Sequence, residues 1–244
     1  MRAAESADSN LATPWLRPFT GRHRVSTAWR AGLPLHEALN SVGPRSVQFV
    51  PQTRLSADEA YEAFIFRTRT VPTRDNLHDF FNGLVWLAFP QTKRRLNELQ
   101  AAEIARTGVG ATRGPLRDAL TLFDENGAVL DAPAALWEAL VARDWHALFV
   151  TRRALWSDAR LLVFGHALLE KLVAPRKAAT AHVLLTGASR SNALDDATLA
   201  QRLGPEWLAQ KPFVPLPVLG VPGWCAANAS AEYYDDPKVF RPRP

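Results

Sequence analysis

The sequence predicts a helix-rich α+β fold: a single compact domain with short strands, one hairpin and a loop-rich C-terminal tail. Apolar residues recur at helical spacing in the middle of the chain, brief apolar runs end at glycine or proline, and no internal repeat divides the 244 residues. A chain of this length buries most of the surface that its unfolded form exposes. We assign residues 1–30 to an N-terminal arm that packs by its aromatics and residues 31–244 to one globular domain.

The first half of the chain is predicted to be mainly helical, and its clearest element is the helix 77–88. Its apolar residues fall on one face, and Asp75 or Asn76 caps its first turn. Pro90 fits the first turn of a further helix because a first-turn residue needs no backbone N–H. Ser56 and Glu59 match a capping box, so a helix there competes with a strand over 63–71. The other predicted elements are a helix at 35–42, a strand at 46–50 and a helix at 91–106.

The second half is predicted to contain a hairpin centred on Asn126-Gly127. An Asn-Gly pair between apolar runs is the strongest short hairpin signal, which places strands at 120–123 and 128–130. The segment 212–224 is too rich in proline and glycine for regular structure. The other predicted elements are helices at 133–143, 166–173 and 195–203 and strands at 161–164 and 181–185.

Charge and cysteine content restrict the function classes. The net charge of +5 and the isoelectric point of about 9.8 are compatible with phosphorylated ligands or nucleic acid, although the positive residues are scattered. Cys225 is the only cysteine, which excludes an intramolecular disulfide and a cysteine-based zinc site and fits a reducing compartment. The most apolar stretch, 161–169, is too short to span a bilayer, and residues 1–18 lack a signal-peptide core. We therefore expect a cytoplasmic protein.

Two neighbouring helices carry polar residues that suit a binding or catalytic site. His78 and Asn82 are four residues apart and Asp79 and Asn82 three, so the three side chains point to one side of a helix. Such a group can hold a metal, act as an acid–base pair or clamp a ligand; the structural alternative is helix capping and loop tethering. Lys93 and Asn97 share a face of the next helix, where Lys93 could neutralise a phosphate or carboxylate, or simply be solvated.

Two further clusters lie in the second half. Asp118 and Asp124, six residues apart, share a face if their segment is a strand, and with Glu125 they could hold a hard cation such as Mg²⁺. The alternative is turn chemistry. His166 and Glu170 share one helix face directly after Gly165, a position at which a neutral histidine can act as a metal ligand or base; a buried histidine bonded to main chain is the alternative.

Residues 71–97, VPTRDNLHDFFNGLVWLAFPQTKRRLN, resemble the signature block of a bacterial family catalogued as domain of unknown function 3025. Residues 117–127 and 164–171 and parts of the C-terminal segment also look like that family. The resemblance implies that residues 45–243 form one unit, and it implies no activity. The chain contains no G-x-S-x-G, H-E-x-x-H, Walker A or G-x-G-x-x-G motif, so classical hydrolases, zinc proteases and nucleotide-binding folds lack support.

Three functional hypotheses follow from these clusters. The first is a metal-assisted hydrolase that acts on an anionic, phosphate-containing substrate and uses a divalent metal. The second is a nucleic-acid-binding, protein-binding or assembly protein without catalysis. The third is that the polar block is a buried structural network. For the first hypothesis the predicted catalytic residues are His78, Asp79, Asp118 and His166; the metal ligands His78, Asp118 and His166; and the substrate-binding residues Asn82, Lys93 and Asn97.

Overall fold

Two small sheets organise the fold. A computed structural model describes residues 13–43, 46–108, 114–186 and 195–243. In the first sheet two strands pair in parallel, and in the second the order is β4-β3-β5-β6, in which only the β3–β5 pair is parallel. The strands are β1 (Gln48–Pro51), β2 (Thr70–Thr73), β3 (Gly127–Asp131), β4 (Arg160–Val163), β5 (Thr180–Leu184) and β6 (Phe213–Pro217).

Helices make up about 57% of the structure and strands about 12%, which confirms the predicted helix-rich α+β class. Short 3₁₀ or π segments occur between the α-helices and through the C-terminal tail. The α-helices are α1 (Arg22–Arg30), α2 (Leu35–Asn40), α3 (Tyr61–Thr68), α4 (Leu77–Ala88), α5 (Pro90–Thr107), α6 (Pro115–Asn126), α7 (Ala134–Ala142), α8 (His166–Lys171), α9 (Asp196–Arg202) and α10 (Pro205–Ala209). Within the described part of the chain, no helix combines the length and the apolar character that crossing a membrane requires.

One hydrophobic core joins these elements, and the aromatics of the predicted arm belong to it. Trp15, Phe19 and Trp29 are all buried, and the Trp29 ring stacks on Phe80 of α4 at 5.7 Å. Residues 1–12 of the arm lie outside the described residues. The domain boundary at residue 30 stays a prediction.

The central helix pair forms as predicted, with Asn76 as the cap of α4. The Asn76 side chain accepts a hydrogen bond of 2.8 Å from the Asp79 backbone N–H, and Pro90 occupies the first turn of α5. The segment from Ser56 resolves as a helix followed by a strand, although α3 begins later than the capping box predicts. Its N-cap is Ala60.

The predicted hairpin around Asn126-Gly127 is wrong. Residues 120–123 lie inside α6, which Pro115 opens, and Gly127 passes directly from that helix into β3. The physical reason is the apolar spacing: Ala119, Leu120 and Phe123 are buried at helical intervals, so burying one helix face outweighs the local turn preference.

The prediction of no regular structure in 212–224 is also wrong, because β6 forms there. β6 pairs antiparallel with β5 and is an edge strand of its sheet. Proline lacks the backbone N–H of an interior strand residue but is tolerated at an edge, which explains how Pro215 and Pro217 fit.

Candidate metal centre

A close approach between two backbones places α8 beside the end of α6. A Cβ atom at Gly165 would lie 2.5 Å from the Asn126 backbone and 2.6 Å from the Glu125 carbonyl carbon, so only glycine fits without a shift. The Phe164 and Gly165 backbone N–H groups both donate to the Gly127 carbonyl, at 3.0 and 2.8 Å. As a result His166, the first residue of α8, is adjacent to the last turn of α6.

Three donor atoms from three helices converge at this junction. The Nε2 atoms of His78 and His166 are 3.1 Å apart, and a Glu125 carboxylate oxygen lies 3.6 Å from His166 Nε2. One donor atom from each of the three residues falls within 4.8 Å of the others. His166 is buried, whereas His78 and Glu125 side chains remain 35% and 32% exposed, so the group is reachable from solvent.

These separations fit a shared cation. Two ligands at the usual Zn–N distance of 2.0–2.1 Å in tetrahedral geometry are roughly 3.3 Å apart. Two imidazole nitrogens and one carboxylate are a donor set found in catalytic zinc sites and suit other first-row divalent metals. His78, His166 and Glu125 are therefore the residues that could hold a divalent metal.

A carboxylate lies near the far nitrogen of each histidine, but only the His78 imidazole is hydrogen-bonded to its carboxylate. His78 Nδ1 is 3.1 Å from Glu170 Oε2, and His166 Nδ1 is 3.7 Å from Asp124 Oδ2. Metal-binding histidines commonly donate their second N–H to a carboxylate, which fixes the tautomer and leaves Nε2 as the ligand. For His78 this arrangement leaves the Nε2 lone pair facing the common point, whereas His166 Nδ1 is buried without a hydrogen-bond partner among the described residues.

The electrostatics of the junction favour a cation. Burial lowers the pKa of His166 to about 4, so its imidazole is neutral at neutral pH. Burial and the adjacent Asp124 carboxylate raise the pKa of Glu125. Both carboxylates also lie on the last turn of α6, where the helix dipole disfavours negative charge. A divalent cation at this point would stabilise the charges that the fold concentrates there.

A network of buried polar side chains contacts the junction through Asp124. The Lys93 ammonium donates to Asp124 Oδ1 at 2.6 Å and to Asn82 Oδ1 at 2.8 Å, and the Asn82 amide donates to the Tyr61 hydroxyl at 3.1 Å. Burial and the charge of Asp79 raise the pKa of Tyr61, so its hydroxyl stays protonated. A cavity of about 40 Å³ adjoins the network, enough for a few water molecules.

The structure brings only part of the predicted site together. His78 and His166 meet, and Lys93 and Asn82 reach the junction through Asp124, but the charge of Lys93 is already matched there. The predicted role of Lys93 in holding a substrate anion therefore lacks geometric support. The Asn97 amide is bonded to the Glu62 carbonyl at 2.8 Å, which also leaves its substrate-binding role unsupported.

Asp118 is not near the histidines. It lies in the first turn of α6, about 9 Å along the helix axis from Asp124, and its carboxylate accepts from Lys211 Nζ at 3.4 Å. The strand assumption placed Asp118 and Asp124 on one face; in a helix, six residues turn the chain to a different side. The structure offers Glu125 as the carboxylate ligand in place of Asp118.

Asp79 follows His78 in the chain but points away from the junction. Its buried carboxylate accepts from the Arg74 backbone N–H at 2.6 Å and from the Arg74 guanidinium at 2.8 and 3.1 Å. This bonding gives Asp79 a structural role at the start of α4 and leaves its predicted catalytic role without support.

Replacing Asp79 with alanine is expected to lower the free energy of unfolding by about 2–3 kcal/mol, because the Arg74 N–H loses its acceptor in a partly buried position. Urea denaturation measures the loss. Arg74→Gln, which removes only an exposed guanidinium, is expected to cost about 1 kcal/mol or less. A loss below about 1 kcal/mol for Asp79→Ala would contradict the structural role.

Replacing Glu170 with glutamine is expected to weaken divalent-metal binding about 10–100-fold, because the amide is a weaker acceptor for the His78 N–H. Titration of the metal-free protein against a chromogenic chelator measures the change. Glu206→Gln, on the exposed surface of α10, is the matched control and should bind metal as the unchanged protein does. Equal affinities for both variants would remove Glu170 from the site.

Comparison with known proteins identifies a family but no activity. The family described as "Protein of unknown function (DUF3025)" matches residues 47–244, which is most of the chain. No curated protein and no solved structure matches the chain. The matched region contains all three converging donor residues, and the chain belongs to the DUF3025 family.

Proposed function

We propose that this protein is a metal-dependent hydrolase that acts on a phosphate-containing substrate. The observation that carries the proposal is the convergence of His78 Nε2, His166 Nε2 and a Glu125 oxygen from three separate helices. The hydrogen bond between His78 Nδ1 and Glu170 adds the carboxylate that commonly orients a metal-binding histidine.

The chain's own residues divide the work in this proposal. His78, His166 and Glu125 would hold the cation, while Glu170 orients the His78 imidazole. A bound divalent cation supplies a water of lowered pKa and a Lewis acid for a phosphoryl oxygen. In hydrolysis the phosphorus–oxygen ester bond breaks, the water oxygen forms the new bond to phosphorus, and its proton passes to the leaving oxygen.

Lys171 supports an anionic substrate better than Lys93 does. Lys171 is exposed at the end of α8, donates to Asn126 Oδ1 at 3.0 Å, and is close enough for its charge to favour ionised Glu125. Lys93, by contrast, is buried against Asp124. An exposed ammonium beside a cation site is placed to attract a phosphate group.

The experiment starts from untagged protein, whose metal content is measured by mass spectrometry. Metal-free protein is then supplied in turn with Zn²⁺, Mn²⁺ and Mg²⁺ and assayed on a phosphomonoester and a phosphodiester. We expect hydrolysis that requires metal and disappears in His166→Gln. A protein that binds none of these metals tighter than about 1 mM would overturn the proposal, since functional metal sites bind more tightly.

We also propose that the protein works in the cytoplasm, because a chain with one cysteine needs no oxidising compartment. Fractionation of cells that express the protein from its own chromosomal locus tests this location. Recovery in a membrane or extracellular fraction would contradict it.

A further inference from the structure

A second cleft, of about 320 Å³, lies between the C-terminal tail, the end of α7 and the β5–β6 edge. Trp145, Thr180, Pro215 and Pro217 are among its lining residues, and none of the metal-centre residues lines it. Its volume is within the range of small-molecule sites, about 300–1,000 Å³.

The charge of this cleft is entirely positive. Arg143, Lys238 and Arg241 line it, and no acidic side chain of a described residue does. Trp145 Nε1 donates to the Arg241 carbonyl, Arg241 Nε donates to the Lys238 carbonyl at 3.1 Å, and the intervening Phe240 is buried. These bonds hold the backbone of the tail at the cleft, which both Lys238 and Arg241 line.

Arg143 has an unusual backbone conformation for a residue with a side chain. It ends α7 with φ of 54°, a left-handed conformation that glycine adopts at helix ends without steric cost. Two other described cations share positive φ, and each has a partner: Lys211 bonds Asp118, and Arg69 pairs with Glu98.

The Arg143 guanidinium has no partner among the described residues. The dipole of α7 accounts for one cation at the helix end, but not for Lys238 and Arg241 on the same cleft. A cation that has a strained backbone conformation and no intramolecular partner indicates that its charge binds a ligand.

We propose that this cleft binds a phosphate group of a small phosphorylated molecule or of a nucleic-acid backbone. Two guanidinium groups and one ammonium match a polyvalent oxyanion, because arginine pairs bidentately with phosphate and a single carboxylate would neutralise only one of the three charges. The modest volume favours the small molecule as the source.

The test is calorimetric titration of full-length, EDTA-treated protein with inorganic pyrophosphate, with acetate and with a short single-stranded oligonucleotide. EDTA prevents phosphate from binding at the metal centre. We expect pyrophosphate to bind and acetate not to bind, with affinity for pyrophosphate about tenfold weaker or more in Arg143→Gly and in Arg241→Gln. Binding of the oligonucleotide alone, weakened by the same variants, would identify the nucleic-acid backbone as the source.

Arg143→Gly is suited to this test because glycine favours the native conformation there, so the melting temperature is expected to stay or rise. Lys211→Gly is the matched control: it also replaces a cation at positive φ, but it does not line the cleft and should leave binding unchanged. Absence of binding by both phosphate probes, or equal binding by Arg143→Gly and the unchanged protein, would overturn the proposal.

Discussion

Alanine at position 78 is expected to weaken divalent-metal binding by more than about 100-fold. The variant loses one of three metal-binding side chains. Replacing a residue that only supports a metal ligand already lowers the metal affinity about 10–100-fold. His78 is a half-exposed residue with one polar partner on each side, so the free energy of unfolding of the metal-free protein should change by only about 1 kcal/mol. Calorimetric titration with Zn²⁺ and thermal melts measure the two quantities.

His146→Ala is the control for His78→Ala, because His146 is exposed and, within the described ranges, its side chain bonds only Thr151. It removes an imidazole of the same chemistry from the surface, which discounts non-specific metal binding by histidine. If His78→Ala binds Zn²⁺ as tightly as His146→Ala, the three donors do not form a metal site and the hydrolase proposal fails with them.

Methionine at position 93 is expected to lower the free energy of unfolding by about 3–5 kcal/mol, the usual effect of breaking one partner of a buried ion pair. Lys93 is 5% exposed, and its ammonium is the closest positive group to the Asp124 carboxylate. Methionine fills a similar volume, so the loss comes from stranding the carboxylate of Asp124 and the amide oxygen of Asn82. Urea denaturation at neutral pH measures it.

The pH dependence of that loss has a definite sign. Burial alone would raise the pKa of Asp124, but Lys93 and then His166 outweigh it and hold the pKa below the ordinary value of 3.8. A carboxyl with a depressed pKa stabilises the fold above its unfolded pKa and loses that contribution as the pH falls through the folded pKa. The difference in the free energy of unfolding between the unchanged protein and Lys93→Met is therefore largest at neutral pH and becomes smaller in acid.

The double variant Lys93→Met, Asp124→Leu separates stranded charge from lost packing. Removing both charges leaves no unpaired ion, so the double variant should recover most of the stability that the single variant loses. A double variant as unstable as the single one would show that packing around Lys93, rather than the charge of Asp124, causes the loss.

Local patterns were sufficient to predict much of the fold. The cap at Asn76, the proline at the start of α5 and the apolar face of α4 are all local features, and each forms as predicted. The failure at Asn126-Gly127 shows the limit. The turn preference of that pair is local, whereas the helix that Pro115 opens buries a long apolar face, which contributes more free energy than one turn.

Local patterns also predicted part of the candidate site. His78 and His166 were identified because each shares a helix face with polar residues, and their meeting stays consistent with the first hypothesis. The sequence offers Asp118, Asp124 and Glu125 together as possible cation ligands, and the hairpin assumption favours Asp118 among them as the partner of the histidines. Only the tertiary approach of Gly165 to the α6 backbone, 40 residues further along the chain, reveals which acid faces the histidines.

That approach between distant parts of the chain has a consequence during synthesis. The donors at positions 78 and 125 leave the ribosome long before the donor at 166, and they have no shared geometry until α8 packs against the end of α6. A nascent chain that ends before residue 166 therefore carries only one of the two histidine donors of this centre. Under the proposed function, an ion held by all three donors is therefore acquired only after His166 has been synthesised.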